Sequence, residues 1–369
     1  KSGNINTSKL WSYKLNDDIF QRKSILPDGK NHGMVMMVDW SGSMFQQLYQ
    51  TVVQVITLAT FARRVGIPFD VYNFTDVEDP KKIDDIKERN QLFLCDPDNE
   101  DTISVNAGIS LRHILSHKMT NSEFSRACDN YLFLAWSMKN HFYGRTSSSK
   151  ANSLGGTPLV SSLILFEKVI AKFQKQNMVE KMSFIVLTDG EASDGISYVK
   201  GCTTNEKYQG WNMTVSEWQQ GSTVVFDERT KKNVVWTREG SRYTRKSSTE
   251  FCIKLISELN NAKSIGFYIC DNTRDLNYAI QSYCVKGYDY GRKKTNSAKK
   301  EVRKNGFITA EDCGYDEYYI IDQRTQHDDA KLDIDETMTK AKIARNFSKF
   351  QSKKKTSRQM LNKFVDLVK

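Results

Sequence analysis

Five short apolar runs, each bounded by turn-forming residues, punctuate the chain at 34–38, 67–74, 183–188, 265–270 and 317–321. They have strand rather than helix length, and runs without polar alternation fit strands buried on both faces. Between them the apolar period lengthens to three and four. Leu48, Val52, Val53, Val55, Ile56, Ala59 and Phe61 mark a helix that closes near "RRVG", before Pro68. Leu159, Leu163, Phe166, Ile170 and Phe173 mark a second after Pro158. Phe251, Ile253, Leu255, Ile256 and Leu259 mark a third, over roughly 248–261. Strands alternating with amphipathic helices predict an α/β fold: a doubly wound, mostly parallel central sheet flanked by helices.

Two stretches break the alternation. The segment 101–143, with "LRHILSHKM" and "CDNYLFLAWSM", predicts a long helical region. The segment 196–247 reads as an inserted β-hairpin subdomain, with "STVVFDERTKKNVVWT" turning around Thr230, Lys231, Lys232 and Asn233. The chain thus divides into an N-terminal segment, 1–33, packing on one domain, 34–369, which carries this insert and a basic C-terminal helix at 340–369. Met360, Leu361, Phe364, Val365 and Val368 share one face of that helix, which docks it and leaves its lysines outward.

Composition changes this picture little. Hydrophobic residues at 39% and aromatics at 11% supply a sizeable core and argue against general disorder. No apolar run reaches membrane-span length, and "KSGNINTSKLWSYKLNDD" lacks a signal-peptide core, so the expected location is cytoplasmic. Seven cysteines, at 95, 128, 202, 252, 270, 284 and 313, show no CxxC spacing and fit reduced thiols. The net charge of +10 is concentrated: residues 340–369 hold ten Lys or Arg against one acid, which is +9 of it. A second basic run, 291–306, is balanced by the acidic stretch from Asp76 to Asp101. Nucleic acid is therefore a candidate partner only through the basic tail.

The chemistry is in "MVMMVDWSGSM", 34–44. An apolar strand ends on Asp39 and continues as Ser41, Gly42, Ser43, with oxygen-bearing side chains at alternate positions. In an open parallel sheet, ligands bind outside the carboxyl ends of the strands. Hard divalent cations take oxygen ligands. Asp39, Ser41 and Ser43 can aim three oxygens at one point, "SLGGTPL" adds Thr157 ahead of a helix, and "FIVLTDGEASD" adds Asp189 at another strand end. Helix capping by Ser41 or Ser43, with Asp39 as a turn acid, would account for the first element but for neither Thr157 nor Asp189.

DxSxS after a hydrophobic strand, then GGTPL, then a strand ending in TDG, resembles the metal-ion-dependent adhesion site of von Willebrand factor A domains. The five positions are Asp39, Ser41, Ser43, Thr157 and Asp189. "SKLWSYKLNDDIFQRK", "LRHILSHKM", "EYYIID" and "QMLNKFVDLV" are similar to the von Willebrand A subunit of aerobic cobaltochelatase and its phage-encoded relatives. The insert and the basic tail lie outside that similarity. The resemblance implies a von Willebrand A, Rossmann-like fold and a bound Mg²⁺ or Mn²⁺. It also implies a protein partner offering Asp or Glu to the metal, by family a hexameric AAA+ ATPase of the MoxR or cobaltochelatase type.

Two carboxylates among three neutral hydroxyls would leave the ion net positive and able to accept an acidic side chain. The expected function is thus an adaptor with no catalytic residues of its own. The alternatives are a virion structural or attachment protein using the same metal site, and a subunit of a metal-chelatase or peptidase. No GxxxxGK[ST], HExxH or GxSxG occurs. His113 and His117 are spaced for a zinc pair but lack a third ligand and read as a helix face. Glu191 and Asp194 could reach the metal through water or serve as loop solvation. Because the strand ending at Thr188 delivers the chain to the metal face, the insert, with Trp211, Trp218 and Trp236, is expected to overhang the site.

Overall fold

The computed structural model describes residues 31–77, 102–104, 109–142, 152–189, 192–194, 197–199, 221–227, 229–238, 244–270, 272–284, 292–310 and 313–322. Residues 1–30 of the N-terminal segment, most of the insert, Cys95, Cys202 and the segment expected as a basic C-terminal helix lie outside these residues.

A seven-stranded sheet forms the centre, in the order β10-β11-β9-β5-β1-β2-β4. Its strands are β1 (His32–Asp39), β2 (Phe69–Thr75), β4 (Ser110–Ser116), β5 (Lys181–Thr188), β9 (Ala262–Cys270), β10 (Phe307–Ala310) and β11 (Glu317–Asp322). The five apolar runs seen in the sequence are the five parallel strands, β2, β1, β5, β9 and β11. Antiparallel β4 and β10 close the two edges, so the sheet is mixed. Met34 to Val38 have no exposed surface, which is why no polar alternation is present to read.

Helices α1 (Leu48–Val65), α2 (Asn121–Phe142), α3 (Leu159–Asn177), α4 (Thr244–Asn260), α5 (Thr273–Ala279) and α6 (Arg292–Asn305) cover both faces. Met34, Met36 and Val38 pack with residues of α1 and α2, while Val35 and Met37 pack with α3 and α4. Tyr268, Cys270, Tyr318 and Ile320 pack with α5 and α6. Helix α1 ends at Gly66, whose φ of 78° lets its N–H reach the carbonyls of Ala62 and Arg63. The described cysteines, Cys128, Cys252, Cys270, Cys284 and Cys313, are all free thiols.

The long helix expected over 101–143 is instead a short strand at Thr102–Ser104, strand β4 and a helix. "LRHILS" belongs to strand β4, and the helix begins only at Asn121. His113 and His117 therefore do not share a helix face. Both flank one carboxylate: Asp70 Oδ1 lies 3.2 Å from His113 Nε2 and 3.8 Å from His117 Nδ1. Edge strand β4 is held to β2 by an antiparallel ladder whose register shifts between Val71 and Tyr72.

The hairpin expected in the insert forms, from β7 (Gly221–Asp227) and β8 (Lys232–Arg238), but Lys232 and Asn233 belong to β8 rather than to the turn. Strands β3 (Thr102–Ser104) and β6 (Ser197–Val199) make a separate pair. The hairpin's turn does not overhang the carboxyl edge. Arg229 pairs with Glu167 and bonds Asn260, and Lys232 Nζ bonds the carbonyl of Glu258, at the end of α4 that leads into the start of β9. The turn therefore sits by the amino ends of the strands, anchored by Val234 in the α3/α4 core. Trp211, Trp218 and the side chain of Trp236 lie outside the described residues.

Candidate metal centre

Strand order reverses between β1 and β5. From β1 the chain proceeds to β2, and from β5 it proceeds to β9 on the other side. Such a reversal opens a crevice at the carboxyl ends of the two strands. Asp39 is the last residue of β1, and Asp189 immediately follows β5. Both carboxylates are thus delivered to the crevice by the backbone alone.

The loop after β1 is held from two sides. Trp40 is buried, stacks on Tyr131 with centroids 5.8 Å apart, and donates from Nε1 to the carbonyl of Asn152 at 3.2 Å. Gly42 N–H donates to the carbonyl of Gly155 at 2.7 Å, and Gly155 N–H to that of Trp40 at 3.3 Å. This backbone ladder sets the Gly155-Gly156-Thr157 segment beside Ser41. The close approach needs glycine: a Cβ on Gly155 would overlap Asp76 Oδ1 and stand 2.6 Å from Thr75 Oγ1 and 2.7 Å from Val77 Cγ2. Gly155→Ala should accordingly weaken Mg²⁺ affinity by about tenfold, the range seen when an orienting contact is lost. Isothermal calorimetry reads this directly, and unchanged affinity would show that the ladder does not set the site.

Asp39, Ser41, Ser43 and Asp189 are linked at the crevice by hydrogen bonds and charge, and Thr157 follows two residues after Gly155, which bridges to Ser41. Ser41 Oγ and Ser43 Oγ are 3.0 Å apart, and Ser43 Oγ donates to Asp189 Oδ1 at 2.9 Å. Thr188 Oγ1 donates to Asp39 Oδ2 at 2.8 Å. Asp39, Ser41 and Thr157 are buried, Asp189 is half-buried and Ser43 is exposed, so the cluster opens to solvent on one side. Two participants escaped the sequence reading. Gln47, at the start of α1, donates from Nε2 to Asp189 Oδ2 at 2.6 Å. Asp76 accepts from Gly156 N–H at 2.6 Å. A glutamine at a helix start and an acid after a strand carry no signal of their own.

Asp194 is neither a solvated loop acid nor directed at the crevice. Its two carboxylate oxygens accept from the N–H groups of Val160 and Ser161, at 3.0 and 2.9 Å, capping α3. The charge suits the positive end of the helix. Ser193 N–H also bonds the carbonyl of Thr157, so the loops after β5 and before α3 are stapled together. Asp194→Ala should cost about 1 kcal/mol of stability, measurable by urea unfolding. Glu191 lies outside the described residues.

Does this donor set fit a cation? Asp39 Oδ1 is buried and accepts no hydrogen bond from any described residue. Burial first, then the neighbouring Asp189 charge, push the Asp39 carboxyl up to about 8, against the lowering pull of Thr188 and Ser41. Two carboxylates this strongly coupled in a buried setting are costly to ionise together, and a hard dication is a group that would relieve them. Among the described residues no three His, Cys, Asp or Glu side chains form a metal cluster. The set here differs in kind, being two carboxylates and three hydroxyls. Such oxygen donors suit Mg²⁺ or Mn²⁺ and not zinc. The residues fit the ion.

No family model and no curated protein matches the chain. Among solved structures, the pilus adhesin SpaC from Lactobacillus rhamnosus GG aligns at a TM-score of 0.35 and 13% identity, over 88% of this chain and 30% of that one. Its open conformation aligns at 0.33 and 13%, over 87% and 30%. The chain spans less than a third of the adhesin's length, and likeness at this level carries no argument about fold or function. Among the described residues no helix is long and apolar enough to cross a membrane.

Proposed function

We propose that the chain is a von Willebrand A-type adhesion module that grips an acidic side chain of a partner protein through Mg²⁺ or Mn²⁺. Asp39, Ser41, Ser43, Thr157 and Asp189 would hold the ion. A bound ion would supply uncompensated positive charge and a coordination position open to a partner's Asp or Glu. The observation that carries this reading is the buried Asp39 Oδ1, which accepts no hydrogen bond from a described residue and lies in the β1/β5 crevice with the charge of Asp189. Trp40 and the Gly155 ladder fix the loop before any partner arrives, so little ordering cost falls on binding. The exposed Ser43 and half-buried Asp189 leave the crevice reachable from solvent.

By the sequence resemblance, the partner is a hexameric AAA+ ATPase of the MoxR or cobaltochelatase type, with this chain as its adaptor. The test is association with a purified MoxR-type ATPase, followed by interferometry in Mg²⁺, in EDTA and after Mg²⁺ is restored. Binding should vanish on chelation and return. An alanine scan of the ATPase's exposed acids should find one residue that abolishes it. Robust binding in EDTA would remove the metal bridge altogether.

A further inference from the structure

The carboxyl edge of the sheet carries more than the crevice. Strand β9 ends there, and Arg274 follows as an exposed residue at the start of α5. Strand β10 runs antiparallel to β11, so it begins at this same edge: Phe307 pairs with Ile321, and Asp322 N–H bonds the carbonyl of Gly306. The last turn of α6, with Arg303 and Lys304, therefore ends on the same edge, and Lys300 lies one turn below. Thr295, Ala298 and Val302 face inward, while Lys300, Arg303 and Lys304 are exposed. None of these three, nor Arg274, forms an ion pair with a described residue, and Glu301 is the one acid of the helix. A basic last turn complements the helix dipole. That accounts for neither Lys300 nor Arg274, which sits on a different helix.

We infer that Arg274, Lys300, Arg303 and Lys304 form a cationic flank of the metal crevice that recognises a second acidic patch on the same protein partner. This deepens, and rests on, the metal-grip reading above. The strand order sets the span. From β5 to β10 there are three strand steps, and from β1 four, which is about 15–20 Å at the usual spacing. One carboxylate of the partner would enter the crevice while others, that far away, meet the flank. A folded acidic protein fits this better than a nucleic acid does. On the far side of the crevice the edge carries an exposed Asp76 beside Arg112, so a continuous polyanion would have a carboxylate to pass. A protein can place its carboxylates only where cations wait. The flank would act chiefly on association rate and partner choice, as exposed charges do at interfaces.

Fluorescence anisotropy of a labelled poly-glutamate peptide tests this, with poly-glutamine and oligothymidylate as controls. The triple variant Arg274→Glu, Arg303→Glu, Lys304→Glu changes only exposed side chains, and its Mg²⁺ affinity should match the parent's. In Mg²⁺, poly-glutamate affinity should fall by about tenfold or more in the variant, and the salt dependence of binding should flatten. Unchanged affinity in the variant, with binding still lost in EDTA, would overturn the flank and leave the metal grip standing. Loss in the variant with no response to EDTA would support the flank and overturn the metal grip. Tighter, metal-independent binding of oligothymidylate would overturn the protein-partner assignment.

Discussion

Asp39→Asn is expected to abolish measurable Mg²⁺ binding. The change removes one of two charges from the donor set, and the loss should exceed the roughly 10–100-fold that even supporting residues cost at metal sites. Asp189→Ala should do the same. In EDTA the Asp39→Asn protein should melt no earlier than the parent. Asp39 is fully buried beside another carboxylate, and an amide there carries no charge to desolvate. The Thr188 hydroxyl keeps an acceptor in the amide oxygen. Calorimetry for affinity and differential scanning with and without Mg²⁺ give the two readouts. Unchanged affinity in both variants would end the metal assignment. A large loss of stability in EDTA would instead make Asp39 a structural residue.

Trp40→Ala should be the most damaging single change to the fold near the crevice, costing about 3–5 kcal/mol as for other large buried aromatics. Trp40 is 1% exposed, stacks on Tyr131, and binds the carbonyl of Asn152. Tyr131 in turn donates to Asn73 on β2 at 2.6 Å, so the indole links the metal loop to α2 and the neighbouring strand. Trp40→Phe should keep most of the packing and lose only the indole hydrogen bond, about 1 kcal/mol. Urea unfolding separates these cases. Equal losses in both variants would show that the hydrogen bond, not the burial, holds the loop.

The sequence exposes some of this architecture and hides the rest, for physical reasons. The five parallel strands are legible because burial on both faces leaves long apolar runs in them, with few polar residues to interrupt the pattern. The oxygen cluster is legible because its serines alternate directly after such a strand. Strand β4 is not, because it is an edge: only Leu115 and Ser116 are buried, so no period-two pattern forms. Its Leu111, Ile114 and Leu115 instead mimic helical spacing, as do His113 and His117. Helix α6 is hidden by having only Ala298 and Val302 as buried apolar side chains in its solvent-facing charge. The roles of Asp194 and Gln47 depend on partners 33 and 142 residues away, beyond any local pattern.

The crevice between β1 and β5 also dictates when the site can exist during folding. Thr188 and Asp39, which share a hydrogen bond there, are 149 residues apart in the chain, and Ser43 and Asp189 are 146 apart. Closing so long a loop comes at a substantial entropic cost that only the assembled sheet repays. No hairpin or single β-α-β unit contains both carboxylates, so a nascent chain ending before β5 has half a site. Metal affinity would then emerge in one step, late, as β5 docks beside β1. A stopped-flow record of Mg²⁺ uptake during refolding would report the joining of the two halves of the sheet rather than the growth of either.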